Sequence, residues 1–185
     1  MIAPLTARQL AAAVPRSHRI KDAAAVLAGL NDVIATTKLE TTRGVAALLA
    51  QLGHESASFR YLEELADGLA YEPHTRIGKR LGNTHPGDGP RYKGRGWIQL
   101  TGRRNYSLAG AALGLPLEAQ PELAATIENA ARVAAWHWNT NGCTPLADAG
   151  HFEALTRRIN GGTNGLEDRI ERYKRALGAL ERTTT

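Results

Sequence analysis

A glycine- and proline-rich stretch lies in the middle of this chain and separates two groups of segments with helical patterns. Between positions 82 and 102 the sequence holds six glycines and two prolines. This density of chain-breaking residues is typical of turns and loops and excludes a long regular helix or strand there. Irregular loops of about 20 residues inside a compact domain are usually functional. We therefore expect the chemistry of the protein to lie near this stretch.

The segments on both sides of the stretch have the apolar spacing of amphipathic helices. Thr6 can cap a first short helix, and Thr41 or Thr42 can cap a helix that runs to Leu52. Further helices are expected over residues 21–35, 103–113, 121–139, 151–159 and 166–180. Only residues 97–101 have a strand-like pattern. The sequence therefore predicts a mainly α fold with a glycine-rich central loop and at most a small β-hairpin.

Length and composition limit the class of protein. A chain of 185 residues with 43% hydrophobic residues fits one domain, which we expect over residues 1–185, with residues 181–185 as a possible linker start. No apolar run approaches the roughly 20 residues of a membrane helix, so membrane insertion is not expected. The first 18 residues lack the pattern of a signal peptide. Cys143 is the only cysteine, which excludes an intrachain disulfide and argues against a cysteine-based zinc site.

The net charge of +5 predicts association with polyanions, such as nucleic acid, anionic lipid or the acidic polymers of a cell wall. Charge alone does not choose among them. Aromatic residues make up only 5% of the chain, which is too few for a generous platform for single-stranded nucleic acid. The arginines are scattered and form no recognised nucleic-acid motif, so a nucleic-acid partner is not expected.

Glu55, preceded by His54 at the end of an apolar segment, is the strongest local feature. Metal binding through a His-Glu-x-x-His motif is excluded because position 58 is Ser, and we expect no metal or cofactor. Two interpretations remain, a solvated glutamate at a helix end and a general acid. A glutamate that enters a cleft from an apolar helix is partly desolvated, and desolvation favours the protonated form that a general acid needs.

A glycosidase needs a second carboxylate. The downstream candidates are Glu63, Glu64, Asp67, Glu72 and Asp88. On one unbroken helix, residues 55 and 64 would lie about 13.5 Å apart along the axis and on opposite faces, so they can share a cleft only if the helix breaks between them. Inverting glycosidases hold their carboxyl groups roughly 6.5–9.5 Å apart. This spacing does not decide between Glu63 and Glu64.

Three ordered motifs within residues 44–175 resemble glycoside hydrolase family 19, which contains plant-type chitinases and many phage endolysins. They are His54-Glu55-Ser56, the run from Tyr92 to Tyr106, and the run from Ile159 to Gly165. The middle motif, aromatic-x-Gly-Arg-Gly-x-Ile-Gln-Leu-Thr, is highly specific. The short form without disulfides resembles the bacterial and phage branch, and this resemblance implies a lysozyme-like helical domain.

The resemblance implies a role for each matching residue. Glu55 matches the general acid, Glu64 matches the general base of the endolysin branch, and Thr101 matches a residue that helps hold the nucleophilic water. Substrate-binding or supporting positions are matched by His54, Tyr92, Gln99, Asn105, Asn160 and Arg169. Tyr92 would line the cleft, and Arg169 would support the region of the acid. Without the resemblance, Asn105 and Asn160 fit turn or cap residues equally well, and Arg169 fits a surface ion pair.

The chain also departs from the pattern of this branch. Leu69-Ala70-Tyr71-Glu72 stands where the branch often has Asn-Tyr-Ser after its base. The segment between Tyr71 and Arg91 is short, which predicts an open cleft with few subsites. Glu72 therefore remains a rival to Glu64 for the role of base.

These observations predict an endolysin that hydrolyses β-1,4 bonds of peptidoglycan with inversion. We expect it to be a monomer that stays in the host cytoplasm until lysis and then reaches the cell wall. A chitinase with the same machinery is the nearest alternative. A lytic transglycosylase and a non-catalytic wall-binding module are further alternatives, and a nucleic-acid binder is the weakest.

Overall fold

The computed structural model describes residues 2–182, and these residues form ten α-helices and three short 3₁₀ turns. The helices are α1 (Ala7–Ala13), α2 (Ala23–Thr37), α3 (Thr42–Glu55), α4 (Arg76–Arg80), α5 (Asp88–Arg91), α6 (Arg103–Leu113), α7 (Ile127–Thr140), α8 (Cys143–Asp148), α9 (Phe152–Asn160) and α10 (Leu166–Glu181). The 3₁₀ turns are Ser17–Arg19, Leu69–Tyr71 and Pro121–Ala125. The expected mainly α, lysozyme-like fold class is confirmed.

Helix α3 lies at the centre of the core. Its residues 44–53 are all buried, including Gln51, because α10, α8 and the central loop cover it. A helix that is buried on every side is typical of the middle of a domain rather than its surface. Helix α2 packs on α7, and α10 also packs on α1. This arrangement fixes the C-terminal end of α3, where Glu55 lies.

The predicted helix starts are confirmed where a side chain caps them. Thr6 accepts a hydrogen bond from the Gln9 backbone N–H at 3.2 Å, and Thr41 accepts one from Gly44 at 2.9 Å. The single helix expected over residues 121–139 is wrong. Thr126 is extended and caps α7, so a 3₁₀ turn and a helix replace one long helix. The short helices α4, α5 and α8 were not predicted, because four to six residues carry too little periodicity.

The strand-like run at 97–101 is not a strand. Arg95 and Leu100 exchange two backbone hydrogen bonds, of 3.1 and 2.8 Å, and the residues between them form a tight turn. Gly96 and Gln99 have positive φ angles of 75° and 52°, which curl the chain, and Trp97 fills the core. Within residues 2–182 the β-structure consists of the isolated bridges Glu63–Arg95 and Arg95–Leu100.

Two further features concern the end of the chain and the character of its helices. Helix α10 includes Glu181, so the expected linker start overlaps a helix, while residues 183–185 lie outside the described residues. Among the described helices, none combines the length and the apolar character that crossing a membrane requires.

An ion cluster fastens the glycine-rich loop to α6. Arg103 donates to both oxygens of Asp88, at 2.6 and 2.9 Å, and to Glu118 at 3.0 Å. Asp88 is buried and also accepts backbone N–H bonds from Thr84 and His85. The Arg103 guanidinium holds the pKa of Asp88 well below its ordinary value, although burial acts in the opposite direction. The loop that carries the central motif is therefore fixed by charge as well as by packing.

This cluster predicts how stability changes in acid. A carboxyl group with a lowered pKa in the folded protein stabilises it fully above the unfolded value, about 3.9, and this contribution disappears as the pH falls through the folded pKa. We expect Asp88→Asn to lower stability at pH 7 by roughly 2–3 kcal/mol and to flatten the decline below pH 4. Thermal unfolding at a series of pH values tests this, and equal slopes in the variant and the wild type would contradict it.

Candidate active site

Glu55 is the last residue of α3, and the chain turns sharply directly after it. Ala57, Ser58 and Phe59 all have left-handed backbone conformations, with φ between 49° and 67°. Each such non-glycine residue costs about 1–3 kcal/mol, and strain of this kind clusters at functional sites. Ser56 offsets part of the cost, because its hydroxyl donates to Leu52 and accepts from the Phe59 N–H. The break that the second carboxylate requires is therefore present.

Arg169 holds the carboxylate of Glu55. The arginine is 1% exposed, and its guanidinium donates to Glu55, to the side-chain oxygen of Gln51 and to the backbone oxygen of Asn164. Gln51 in turn donates to Thr156 at 2.8 Å. The donors of a guanidinium this deep in the protein need acceptors, and Glu55, Gln51 and Asn164 supply them. Arg169 joins α10 to the end of α3 and fixes the direction of the Glu55 side chain.

Glu64 lies on the loop that follows the turn and is held by neutral donors. Its two carboxylate oxygens accept from the Tyr71 hydroxyl at 2.9 Å and from the Gly94 N–H at 3.0 Å. Burial, together with the Glu64 contact, raises the pKa of Tyr71 to about 12, so the hydroxyl remains a donor at neutral pH. Gly94 permits the close approach, since a Cβ there would lie 2.6 Å from Gln99 Oε1 and 3.2 Å from Glu64 Oε2.

The rival carboxylates have other partners. Glu63 pairs with Lys93 at 2.9 Å and with Arg95 at 3.5 Å, and the Lys93 bond lowers its pKa. Glu72 accepts the backbone N–H bonds of Gly87 and Gly89 and so holds the start of α5. Within the described residues neither Glu64 nor Glu72 has an ion-pair partner, and of these two Glu64 contacts the central motif, at Gly94. The geometry therefore favours Glu64 over Glu63 and Glu72 as the base.

Gln99 and Thr101 lie in the turn region that follows Gly94, and Asn105 lies in the first turn of α6. The Thr101 hydroxyl donates to the Gln99 carbonyl at 2.7 Å and keeps its lone pairs for a water or sugar. Asn105 donates to the Thr101 carbonyl at 2.8 Å, and the Gln99 amide donates to the Gly96 carbonyl at 2.9 Å. Both amides therefore brace the loop, and each retains its side-chain oxygen as an acceptor.

Tyr92 does not line an open cleft. It is 1% exposed, and its hydroxyl donates to the Glu118 carbonyl at 3.0 Å. Arg103 lies over its ring, with 4.8 Å between the guanidinium carbon and the ring centroid. The expectation of an aromatic cleft wall is corrected here, because the hydroxyl finds a buried partner and the ring packs behind the loop.

His54 is oriented by α10. Its Nδ1 lies 2.6 Å from the Asp168 carboxylate, which also accepts from Arg172 at 2.6 Å. Burial raises the pKa of Asp168, but the bonds from Arg172 and His54 outweigh it and the pKa is lowered overall. Gly165 makes room for the ring, because a Cβ there would lie 2.3 Å from it.

Two of the buried nitrogen atoms without a hydrogen-bond partner among the described residues belong to α7 and α9. One is Nδ2 of Asn160, the last residue of α9, and the other is Nδ1 of His137 on α7. Burial lowers the pKa of His137, and the charge of Glu55 acts in the opposite direction.

The sequence did not single out several residues that complete the site. Tyr71 and the Gly94 N–H hold Glu64, while Gln51, Asp168 and His137 surround Glu55 and His54. Gln51 carries a detectable signal, since it is the one polar residue inside the apolar run of α3. The others are brought in by tertiary contacts that local patterns do not show.

Metal-dependent chemistry and cysteine-based nucleophilic chemistry have less support in this structure. In residues 2–182 no group of three or more His, Cys, Asp or Glu side chains is arranged to hold a metal ion. Cys143 is buried, and burial raises its pKa to about 11, so its thiol is a poor nucleophile.

A buried helix that ends in an arginine-bound glutamate, with a second glutamate after a strained turn, is an arrangement compatible with a glycoside hydrolase domain. The chain belongs to glycoside hydrolase family 19, because the family model described as "Chitinase class I" matches residues 10–150.

Relatives with similar sequences include plant and bacterial proteins. An endochitinase of Arabidopsis thaliana is 43% identical over 139 residues, which cover 71% of this chain and 46% of the relative. A glycosyl hydrolase family 19 domain-containing protein of Haemophilus influenzae is 35% identical over 156 residues, which cover 70% of this chain and 76% of the relative. The chain spans about half the length of the plant endochitinases that it matches.

Solved structures that this chain resembles include two chitinases. Chitinase C from Streptomyces griseus is similar with a TM-score of 0.66 and 25% identity, over 83% of each chain. A class IV chitinase of family 19 from Zea mays has a TM-score of 0.65 and 27% identity, over 85% of this chain and 80% of the other.

Proposed function

We propose that the chain is an endolysin domain that hydrolyses β-1,4 glycosidic bonds of bacterial peptidoglycan, with inversion at the anomeric carbon. The observation that carries the proposal is the contrast between two carboxylates. Glu55 is fixed by the buried Arg169, and Glu64 is held only by the neutral donors Tyr71 and Gly94. Arg169 fixes the direction of the proposed acid, and the neutral donors leave lone pairs of Glu64 for a water.

In the proposed reaction, Glu55 donates its proton to the glycosidic oxygen as the bond from this oxygen to the anomeric carbon breaks. Glu64 accepts a proton from a water molecule, whose oxygen forms the new bond from the opposite face. Each Glu64 oxygen uses one acceptor site on the protein, so lone pairs remain for the water. The Thr101 hydroxyl, with its free lone pairs, helps to orient this water. The proposed reaction uses only these side chains and a water molecule, and none of its steps needs a cofactor.

The proposed role in cell lysis is based on the net charge of the chain. The net charge of +5 favours an anionic wall over a neutral polymer. This charge is consistent with a domain that reaches peptidoglycan after release from the host cytoplasm. We also propose that the domain is a monomer.

A chitinase is the second candidate, and the names of several relatives support it. Several relatives and solved structures are named endochitinases or chitinases. The same two carboxylates would then act on a neutral polymer of N-acetylglucosamine.

Rates on purified peptidoglycan and on chitin oligosaccharides, measured as new reducing ends, separate the two candidates. We expect the rate on peptidoglycan to be the higher by about tenfold, an order of magnitude that corresponds to 1.4 kcal/mol in transition-state binding. A higher rate on chitin would reject the endolysin proposal and leave the chitinase. Absence of new reducing ends from both, with retained wall binding, would identify a non-catalytic module.

A further inference from the structure

A groove lined by cations runs along α10 beside the candidate active site. Five basic side chains border it, namely Arg16, Arg60, Arg172, Lys174 and Arg175, and we refer to it as the basic groove. Its volume is about 770 Å³. Arg16 follows α1, Arg60 follows the turn after Glu55, and the other three lie on α10. Three separate parts of the chain thus bring positive charge to one surface.

Most of this charge is not neutralised within the protein. The only carboxylates that line the groove are Asp168 and Glu171, and Asp168 is already bound to His54 and Arg172. In the described part of the chain, no hydrogen bond or ion pair is found for the side chains of Arg16, Lys174 and Arg175. A concave surface with an excess of one charge concentrates ligands of the opposite charge.

The basic groove begins beside Glu55. Asp168 contacts His54, the neighbour of Glu55, and Arg172 lies one helical turn beyond Arg169. From Asp168, the groove follows one face of α10 to Arg175, a rise of about 10 Å at 1.5 Å per residue. The groove therefore starts at a residue that contacts the chain neighbour of Glu55.

We propose that the basic groove binds the carboxylates of the short peptides attached to the glycan strand, which rests on the proposed action on peptidoglycan. A polymer of N-acetylglucosamine is neutral and offers nothing to these cations. The peptides of peptidoglycan carry several carboxylates, and a length of about 10 Å fits roughly three extended residues. The guanidinium group binds carboxylates with two parallel hydrogen bonds, which suits the arginines of the groove.

The test compares two variants with equal changes of charge. Lys174→Glu with Arg175→Glu reverses two exposed cations of the groove, and Arg8→Glu with Lys21→Glu reverses two exposed cations elsewhere. Initial rates at low substrate are measured on intact peptidoglycan and on the same glycan after an amidase has removed the peptides. We expect the groove variant to lose about five- to tenfold on intact peptidoglycan, the size of one or two surface ion pairs. On the stripped glycan it should match the wild type, and the control variant should lose far less on the intact material.

Each other outcome overturns the proposal in a distinct way. Equal losses in the groove and control variants would show that only net charge matters. Equal losses of the groove variant on intact and stripped glycan would assign the effect to the active site. A loss that disappears when phosphate-bearing wall polymers are extracted would identify phosphates as the ligand instead of carboxylates. If the wild type cleaves neither form of the glycan, the proposed function itself is wrong, and the groove proposal fails with it.

Discussion

Glu55→Gln is expected to reduce turnover by about 10²–10⁴-fold, the contribution typical of a general acid. Glutamine has the same shape but has no proton to donate to the leaving oxygen. Its side-chain oxygen still accepts a hydrogen bond from Arg169, so the chain should fold. Reducing-end assays and circular dichroism measure the two effects separately.

Thr156→Val is the matched control for this prediction. It removes the partner of Gln51 and so weakens the same buried network without changing Glu55. We expect a loss of about 1–2 kcal/mol in stability and a rate within a few-fold of the wild type. A Glu55→Gln variant that keeps more than about a tenth of the wild-type rate would reject the acid role, because general acid catalysis supplies at least about 10²-fold.

Glu64→Gln should cost about 10²-fold or more in rate, because the amide accepts no proton from the attacking water. Glu63→Gln is the matched control, one residue away. Its carboxylate is partly exposed and paired with Lys93 and Arg95, so its loss should cost at most about 1 kcal/mol in stability and leave the rate near normal.

Two further variants test which glutamate acts as the base. Tyr71→Phe removes one donor to Glu64 and should reduce the rate less than Glu64→Gln does. Glu72→Gln weakens the contact with Gly87 and Gly89 and should affect stability more than rate. An inactive Glu63 or Glu72 variant beside an active Glu64 variant would move the role of base to that residue.

The helices could be predicted from the sequence wherever apolar periodicity and a capping side chain agree. The predicted bounds 103–113 match α6, and Thr41 caps α3. The prediction failed at two places where the same local sequence pattern fits two different structures. Pro121 fits the start of a helix, but Thr126 caps a new one, and the apolar pattern at 97–101 belongs to a buried turn with Trp97 in the core.

The site could be predicted only in part, because its geometry depends on contacts between distant positions. Arg169 and Glu55 are 114 residues apart, and only the resemblance to the family connected them. The choice of Glu64 over Glu63 depends on which of them meets the Gly94 N–H, 30 residues further on. Tyr92 was expected in the cleft, but the Glu118 carbonyl binds its hydroxyl in the interior. Local patterns identify candidate residues, and tertiary contacts determine their roles.

The stereochemistry of the first products tests the central claim most directly. Purified peptidoglycan is digested in an NMR tube, and the anomeric protons of the new reducing ends are followed before mutarotation. Attack of a Glu64-activated water from the face opposite the leaving group predicts the α-anomer first, because the substrate bond is β. Release of the β-anomer, or of anhydro products without a reducing end, would contradict single displacement by Glu55 and Glu64.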